Sequence, residues 1–388
     1  MEFELRKIRR VIKMDKKLLI AITALTSILT INCAKKEQGS QASVEIFGTL
    51  SNGTEIKKYT ISNSKGLTAE IINYGARVVS LKAPDRTGKI EDIIFGFDDL
   101  ASYERDNSYQ GAIVGRYGNR IRDGKFTLEG KTYQLDINDG NNHLHGGKDG
   151  FYRQVWECRA ADSRSIQLRY ISPDGEGGYP GQVEITVIYT ITDDNGLKIE
   201  YSAKTDKTTI LNPTSHCYFN LSGFPEKSIL DHELMINADY FTPVDAGLIP
   251  TGEIRPVVGT PMDFRTVKAI GKDIEADDEQ ILYGNGYDHN WVLNDYNGQV
   301  RLSATLYEKE TGRLMEVLTD QPGLQFYSGN FLDGSMTGKG GVKYNHRTAL
   351  CLEAQAFPDS PNKPNFPSVV LRPGEEYKQT TIYRFSTK

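Results

Sequence analysis

Five stretches of this chain set ionisable or amide side chains among apolar neighbours. In Leu350-Cys351-Leu352-Glu353-Ala354-Gln355-Ala356-Phe357-Pro358-Asp359, Glu353 lies inside a hydrophobic run. A carboxylate there is costly unless it is compensated. It is either half of a structural pair or a base with a tuned pKa. In Asn141-Asn142-His143-Leu144-His145-Gly146-Gly147 two histidines stand two apart, which on a strand puts both on one face. Catalytic, metal-binding and structural readings all stay open for that pair. The metal reading is weakened because Lys148 and Asp149 occupy the places where a cupin-type site carries its Glu. The two glycines call for close backbone approach. His216, Tyr218 and Asn220 alternate along a third stretch, from Asn212 to Leu221. One face of a strand bearing imidazole, phenol and amide suits a sugar cleft, and a satisfied core histidine is an equal reading. Gly286-Tyr287-Asp288-His289-Asn290-Trp291 adds an acid and a histidine just before a strand, and Gly115-Arg116-Tyr117-Gly118-Asn119-Arg120 adds Arg with Asn. That combination can hold vicinal hydroxyls or a carboxylate.

No GxSxG elbow, P-loop or GxGxxG occurs, so neither a serine nucleophile nor a nucleotide cofactor is indicated. No cofactor is expected, and no metal. What remains is general acid/base work on a neutral polar ligand. Residues 1–32 carry net +4, leaving net −9 on the rest of a 388-residue chain of net −5. An acidic body argues against nucleic acid, which needs a clustered basic surface.

These residues must be positioned by strands. Short strand-like runs recur at 44–50, 68–73, 77–82, 125–128, 166–172, 183–192, 197–204, 300–307, 315–319, 324–328, 349–355 and 377–385. Turn clusters separate them, and Asp194-Asn195-Gly196 between two alternating runs signals a hairpin. Helical periodicity is nearly absent, with at best a short helix at 266–278. The 37 glycines and 21 tyrosines fit many tight turns and half-buried aromatic positions. The expectation is an all-β protein, a large antiparallel β-sandwich, in a single domain over 44–388.

The first residues read as targeting. Lys16-Lys17 precedes an apolar run of about 14 residues, too short for the roughly 20 of a bilayer crossing, and matches a secretory signal. Cys33 follows directly. This resembles a bacterial lipoprotein signal over 1–32, a lipid anchor at Cys33 and a tether over 33–43, giving an exported, periplasmic or cell-surface protein. Cys158, Cys217 and Cys351 are odd in number and widely spaced, so buried free thiols are expected rather than a disulfide framework.

Seven motifs, in order, carry a specific resemblance: Gly118-Asn119-Arg120-Ile121, Asn142-His143-Leu144-His145-Gly146-Gly147, Ser172-Pro173-Asp174-Gly175-Glu176-Gly177-Gly178-Tyr179-Pro180-Gly181, Pro213-Thr214-Ser215-His216-Cys217-Tyr218-Phe219-Asn220-Leu221, Asp288-His289-Asn290, Gly323-Leu324-Gln325-Phe326-Tyr327-Ser328-Gly329-Asn330 and Leu352-Glu353-Ala354-Gln355-Ala356-Phe357-Pro358-Asp359. Over residues 44–386 the chain resembles the aldose 1-epimerase (galactose mutarotase) family. Ser215 departs from the Asn usual in that family before the histidine. The resemblance implies a β-sandwich of the galactose-mutarotase type and interconversion of the α and β anomers of aldohexoses such as glucose and galactose. By similarity Glu353 is the base, His216 the acid and His145 a hydrogen-bonding group near the reacting centre. Asn119, Arg120, Asp288 and Gln325 would hold sugar hydroxyls, and His143 has the weaker claim of the two histidines. The rival readings are a non-catalytic sugar-binding lipoprotein, an epimerase for a phosphorylated hexose, and a metal-dependent His-x-His enzyme.

Overall fold

The computed structural model describes residues 42–388. The expected targeting segment and Cys33 lie outside the described residues. Every pairing between the strands named below is antiparallel. Five strands from Ser43–Thr49 to Ile90–Asp92 form a meander. A nine-stranded sheet runs Glu157–Ala161, Ser165–Ser172, Val183–Ile191, Gly196–Thr205, Tyr377–Thr387, Arg313–Thr319, Arg301–Tyr307, Glu233–Ile236 and Lys268–Ala269. The C-terminal strand thus enters the middle of this sheet. Its successive residues alternate buried and half-buried from Gln379 to Phe385, as period-two patterning requires. The expected hairpin forms, with Asn195 at φ 60° in the left-handed region that its amide tolerates.

A third sheet carries the site. Its order is Arg255–Pro256, Tyr240–Thr242, Asp288–Val292, Gly323–Tyr327, Cys351–Gln355. One face presents Trp291, Leu324, Phe326, Leu352 and Ala354 to the main hydrophobic core, which also takes Val187, Ile199 and Val317 from the large sheet. The two sheets share that core, the arrangement of a sandwich. The other face of the third sheet is polar and lies under a cleft.

The expected helix at 266–278 does not form. Lys268–Ala269 is an edge strand, Ile270–Lys272 a 3₁₀ turn, and an α-helix runs Glu279–Gly284. Asp278 sets its start, because its carboxylate accepts from the Gln280 and Ile281 amides and caps the first turn. Among the described residues no helix is long and apolar enough to cross a membrane. Cys217 and Cys351 are buried free thiols, and Cys158 is a free, half-buried one.

Candidate active site

Cross-strand register builds the floor of the cleft. Asn290, Gln325 and Glu353 lie in one row across three strands, and Asp288, Tyr327 and Cys351 lie in the next row on the same face. A strand that packs one face on the core and aims the other at a cleft must alternate apolar and polar residues. That is why Glu353 sits between Leu352 and Ala354. Gln325 Nε2 donates to Asp288 Oδ1 at 2.7 Å. Arg120 reaches in from the side, with Nε on Asp139 Oδ2 at 2.7 Å and Nη1 3.5 Å from Asp288 Oδ2. Glu353 Oε2 and Gln325 Oε1 are buried and have no protein partner.

His216 follows the short Thr214–Ser215 strand. Its amide donates to Ala112 O and its carbonyl accepts from Gly111 N, both at 2.9 Å. The ring Nε2 stands 3.9 Å from Glu353 Oε1. Nδ1 is 3.5 Å from Cys351 Sγ. The departure at Ser215 leaves this histidine in place; Ser215 Oγ contacts Cys217 Sγ instead, at 3.5 Å.

His145 meets His216 edge-on, ring centroids 5.0 Å apart. The Asn119 amide donates to His145 Nδ1 at 3.1 Å. His145, Asn119 and Tyr109 all hold left-handed φ values, 52°, 65° and 61°, a conformation costly for non-glycine residues and concentrated at functional sites. The glycine after His145 is required: a Cβ on Gly146, at φ 92°, would fall on the Gly115 carbonyl oxygen.

Burial pushes the His216 imidazole down to about 4. His145 is pushed well below its ordinary value, by burial first and then by the charges of His216 and Arg120. Burial, and then the Asp288 carboxylate, raise Glu353 well above the usual carboxylate range against the pull of Arg120. Burial likewise raises Asp288. A carboxyl pushed up beside an imidazole pushed down is the signature of an acid/base pair.

His145, His216 and Glu353 also bring three donor atoms within 4.8 Å of one another, close enough to suggest a metal. The chemistry of His145 speaks against it. In a neutral ring whose Nδ1 lone pair accepts the Asn119 amide, the proton sits on Nε2. Neither nitrogen then offers a lone pair to an ion.

Three sequence expectations are corrected. His143 and His145 do not share a face, because the strand covers only His143–Leu144 and His145 turns left-handed. His143 is instead sealed between Asp136 O at 2.7 Å and Tyr179 Oη at 2.6 Å. Asn220 does not line the cleft with His216 and Tyr218. Its amide donates to the Phe224, Lys227 and Thr348 carbonyls and ties loops together. Asp288 stands in a strand rather than before one, and His289, on the opposite face, is buried in the core.

Residues 57–384 match the aldose 1-epimerase family model. The chain belongs to the aldose 1-epimerase family. It is 44% identical to the galactose mutarotase of Bos taurus over 342 residues, covering 88% of this chain and 97% of that one. It is 37% identical to the aldose 1-epimerase of Escherichia coli K12 over 336 residues, covering 86% and 96%. Among solved structures it resembles an aldose epimerase homologue from C. elegans (TM-score 0.79, 34% identity, 85% and 98% covered) and the galactose 1-epimerase of Lactobacillus acidophilus (0.78, 31%, 90% and 99%). The fold is therefore the β-sandwich of the galactose-mutarotase type.

In this epimerase the cleft has a volume of about 1090 Å³. Asn119, Arg120, His145, His216, Asp288 and Glu353 all line it, and Gln325 stands under it through Asp288. Among the lining residues not singled out in the sequence, Asp139 and Tyr109 touch the site groups themselves. Asp139 lies two residues before Asn141, and nothing in the sequence pairs it with Arg120. Tyr109 gave no signal beyond a nearby glycine.

Proposed function

We propose that Glu353 and His216 carry the proton transfers by which this aldose 1-epimerase interconverts the α and β anomers of aldohexoses. The observation that carries the assignment is a buried carboxylate and imidazole 3.9 Å apart on the floor of a polar cleft. Ring opening moves the O1 proton to Glu353 while the O1 lone pair forms the carbonyl. The C1–O5 bond breaks, and its electrons on O5 take a proton from His216. Rotation about C1–C2 exposes the other carbonyl face. Closure then runs the same transfers backwards, so atoms, protons and electrons return to the start.

The pair needs one shared proton. Burial favours the neutral form of each group, so before sugar enters the proton rests on Glu353. A sugar O1–H donating to the carboxylate favours its ionised form and sends the proton to His216 without changing the total. His145 Nε2–H is a donor toward the sugar. Arg120, Asp288 and Gln325, already joined to one another, hold hydroxyls, and Asn119 orients His145 through its amide. The relatives named galactose mutarotase and aldose 1-epimerase support a free aldohexose as substrate.

Polarimetry on freshly dissolved α-glucose and α-galactose tests this reading. Equilibration faster than the buffer rate is expected with both; no acceleration with either sugar overturns it. We further propose that the chain is exported and lipid-anchored at Cys33, on the basic-then-apolar order of residues 16–31 just before that cysteine. Detergent phase partitioning of wild type and Cys33→Ser tests it, and wild type wholly in the aqueous phase counts against it.

A further inference from the structure

The mechanism leaves one buried ion pair unused. Arg77 Nη1 and Asp106 Oδ2 are 2.9 Å apart, and both side chains are at 0% exposure. Such a pair persists only where further hydrogen bonds compensate its desolvation. Arg77 also donates to the Gln110 carbonyl at 2.9 Å and the Tyr152 carbonyl at 3.2 Å. Asp106 accepts from the Gln110 amide at 3.1 Å and the Ser108 amide at 2.7 Å. The two charges therefore grip one residue, Gln110, by its carbonyl and by its N–H. Arg77 stands at the start of the Arg77–Pro84 strand, so the grip is fixed to a sheet.

Gln110 lies between two contacts to the catalytic groups. On one side Tyr109, at φ 61°, lays its ring 4.6 Å from His145 and 5.7 Å from His216, centroid to centroid. Tyr152 braces that ring from the far side at 4.8 Å. On the other side, Gly111 and Ala112 bond the backbone carbonyl and amide of His216. Gly111, at φ 68°, has no room for a side chain, because a Cβ would fall on the Val78 carbonyl oxygen.

We propose that Arg77 and Asp106 form a positioning pair for the two cleft histidines. By fixing Gln110 they hold the Tyr109 ring against both imidazoles and hold 111–112 against the backbone of His216. The inference rests on the acid/base reading of His216 and goes beyond it, since neither charged side chain is exposed to the cleft. Loss of the grip leaves the sugar-holding groups Arg120, Asp288 and Gln325 untouched. The cost therefore falls on kcat and spares KM.

The test is a double variant, Arg77→Met with Asp106→Asn, which leaves no unpaired buried charge. In a protein that melts cooperatively, kcat on α-glucose is expected to fall at least about 10-fold with KM within about threefold. A folded double variant with wild-type kcat overturns the proposal. If it does not fold, Tyr109 decides. Tyr109→Leu removes the ring and is expected to lower kcat at least about 10-fold; wild-type kcat in Tyr109→Leu overturns the proposal. The ring-proton NMR resonances of His145 and His216 should also move in Tyr109→Leu and in the folded double variant, as the Tyr109 ring leaves them. That readout needs no turnover, so a wild type inactive on both sugars would sink the anomer reading while the resonances still judge the positioning pair.

Discussion

At the level of single residues, the two histidines two apart in sequence have opposite fates, and only the backbone explains why. His143 spends both ring nitrogens inside the protein, on Asp136 and Tyr179. His145 spends only Nδ1, on the Asn119 amide. His143→Asn is therefore expected to lower Tm and to keep kcat within about threefold, whereas Glu353→Gln and His216→Asn each lower kcat at least about 10²-fold with folding retained. Equal losses of kcat in all three, measured by polarimetry, would refute this division. The pH profile follows from the shared proton. Activity needs one proton on the Glu353–His216 pair, and the second is added only near the depressed His216 value of about 4. The acid limb of kcat/KM should accordingly lie well below 6.5, and a limb at an ordinary histidine value would show that His216 is not the buried group described. Dialysis against EDTA should leave the rate unchanged, because His145 has no free lone pair for an ion. Activity lost on chelation and restored by Zn²⁺ would overturn both the tautomer and the mechanism.

At the level of elements, the twelve strand-like runs in the sequence all coincide with strands. The long ones, Val183–Ile191, Gly196–Thr205 and Tyr377–Thr387, alternate buried residues with half-buried or exposed ones, which is the period-two signal that makes a strand legible. Among the strands that escaped, two did so for opposite reasons. Glu55–Ser62 buries Ile56 and then Tyr59, three apart, which breaks the period-two signal. Asp288–Val292 looked like the approach to a strand because its cleft face is made of Asp288 and Asn290. The function that needs those polar groups is what hid the strand. Glu353 was legible for the converse reason, since one carboxylate stands out in an apolar run. Asp139 was not, because its role depends on a fold that brings the 138–142 loop across Arg120. Removing it tests that loop: Asp139→Ala takes the 2.7 Å partner from Arg120 Nε and should raise KM for galactose about fivefold with a smaller change in kcat. A larger loss in kcat than in KM, from initial rates, would mean that Arg120 acts on the transition state rather than on bound sugar.

At the level of the whole molecule, the sandwich and its cleft bury five of the six histidines, and that sets how stability responds to acid. Burial pushes His143, His216 and His232 down to about 4 and His289 to about 3, and pushes His145 well down too. In the unfolded chain each returns to about 6.5. Below that pH the unfolded state binds more protons, so each depressed histidine contributes stability that is full above 6.5 and is lost progressively as pH falls through the folded value. A shift of this size is worth on the order of 3 kcal/mol per histidine when fully expressed, and about 2 kcal/mol of it is gone by pH 5. The raised carboxyls of Glu353, Asp288 and Asp320 act in the opposite sense, since their folded forms hold protons that the unfolded chain has released. They are three against five. Marginal stability of about 5–15 kcal/mol leaves little reserve against such a sum. Tm should therefore fall steadily between pH 7 and pH 5, followed by circular dichroism at constant ionic strength. His232 lies outside the cleft, with Nε2 accepting from the Leu221 amide at 3.1 Å, so His232→Gln should make that fall shallower without altering the pH dependence of kcat. A Tm that is flat or rising over this range would mean that the buried histidines are not held neutral by the fold, and the proton inventory assigned to His216 would fall with it.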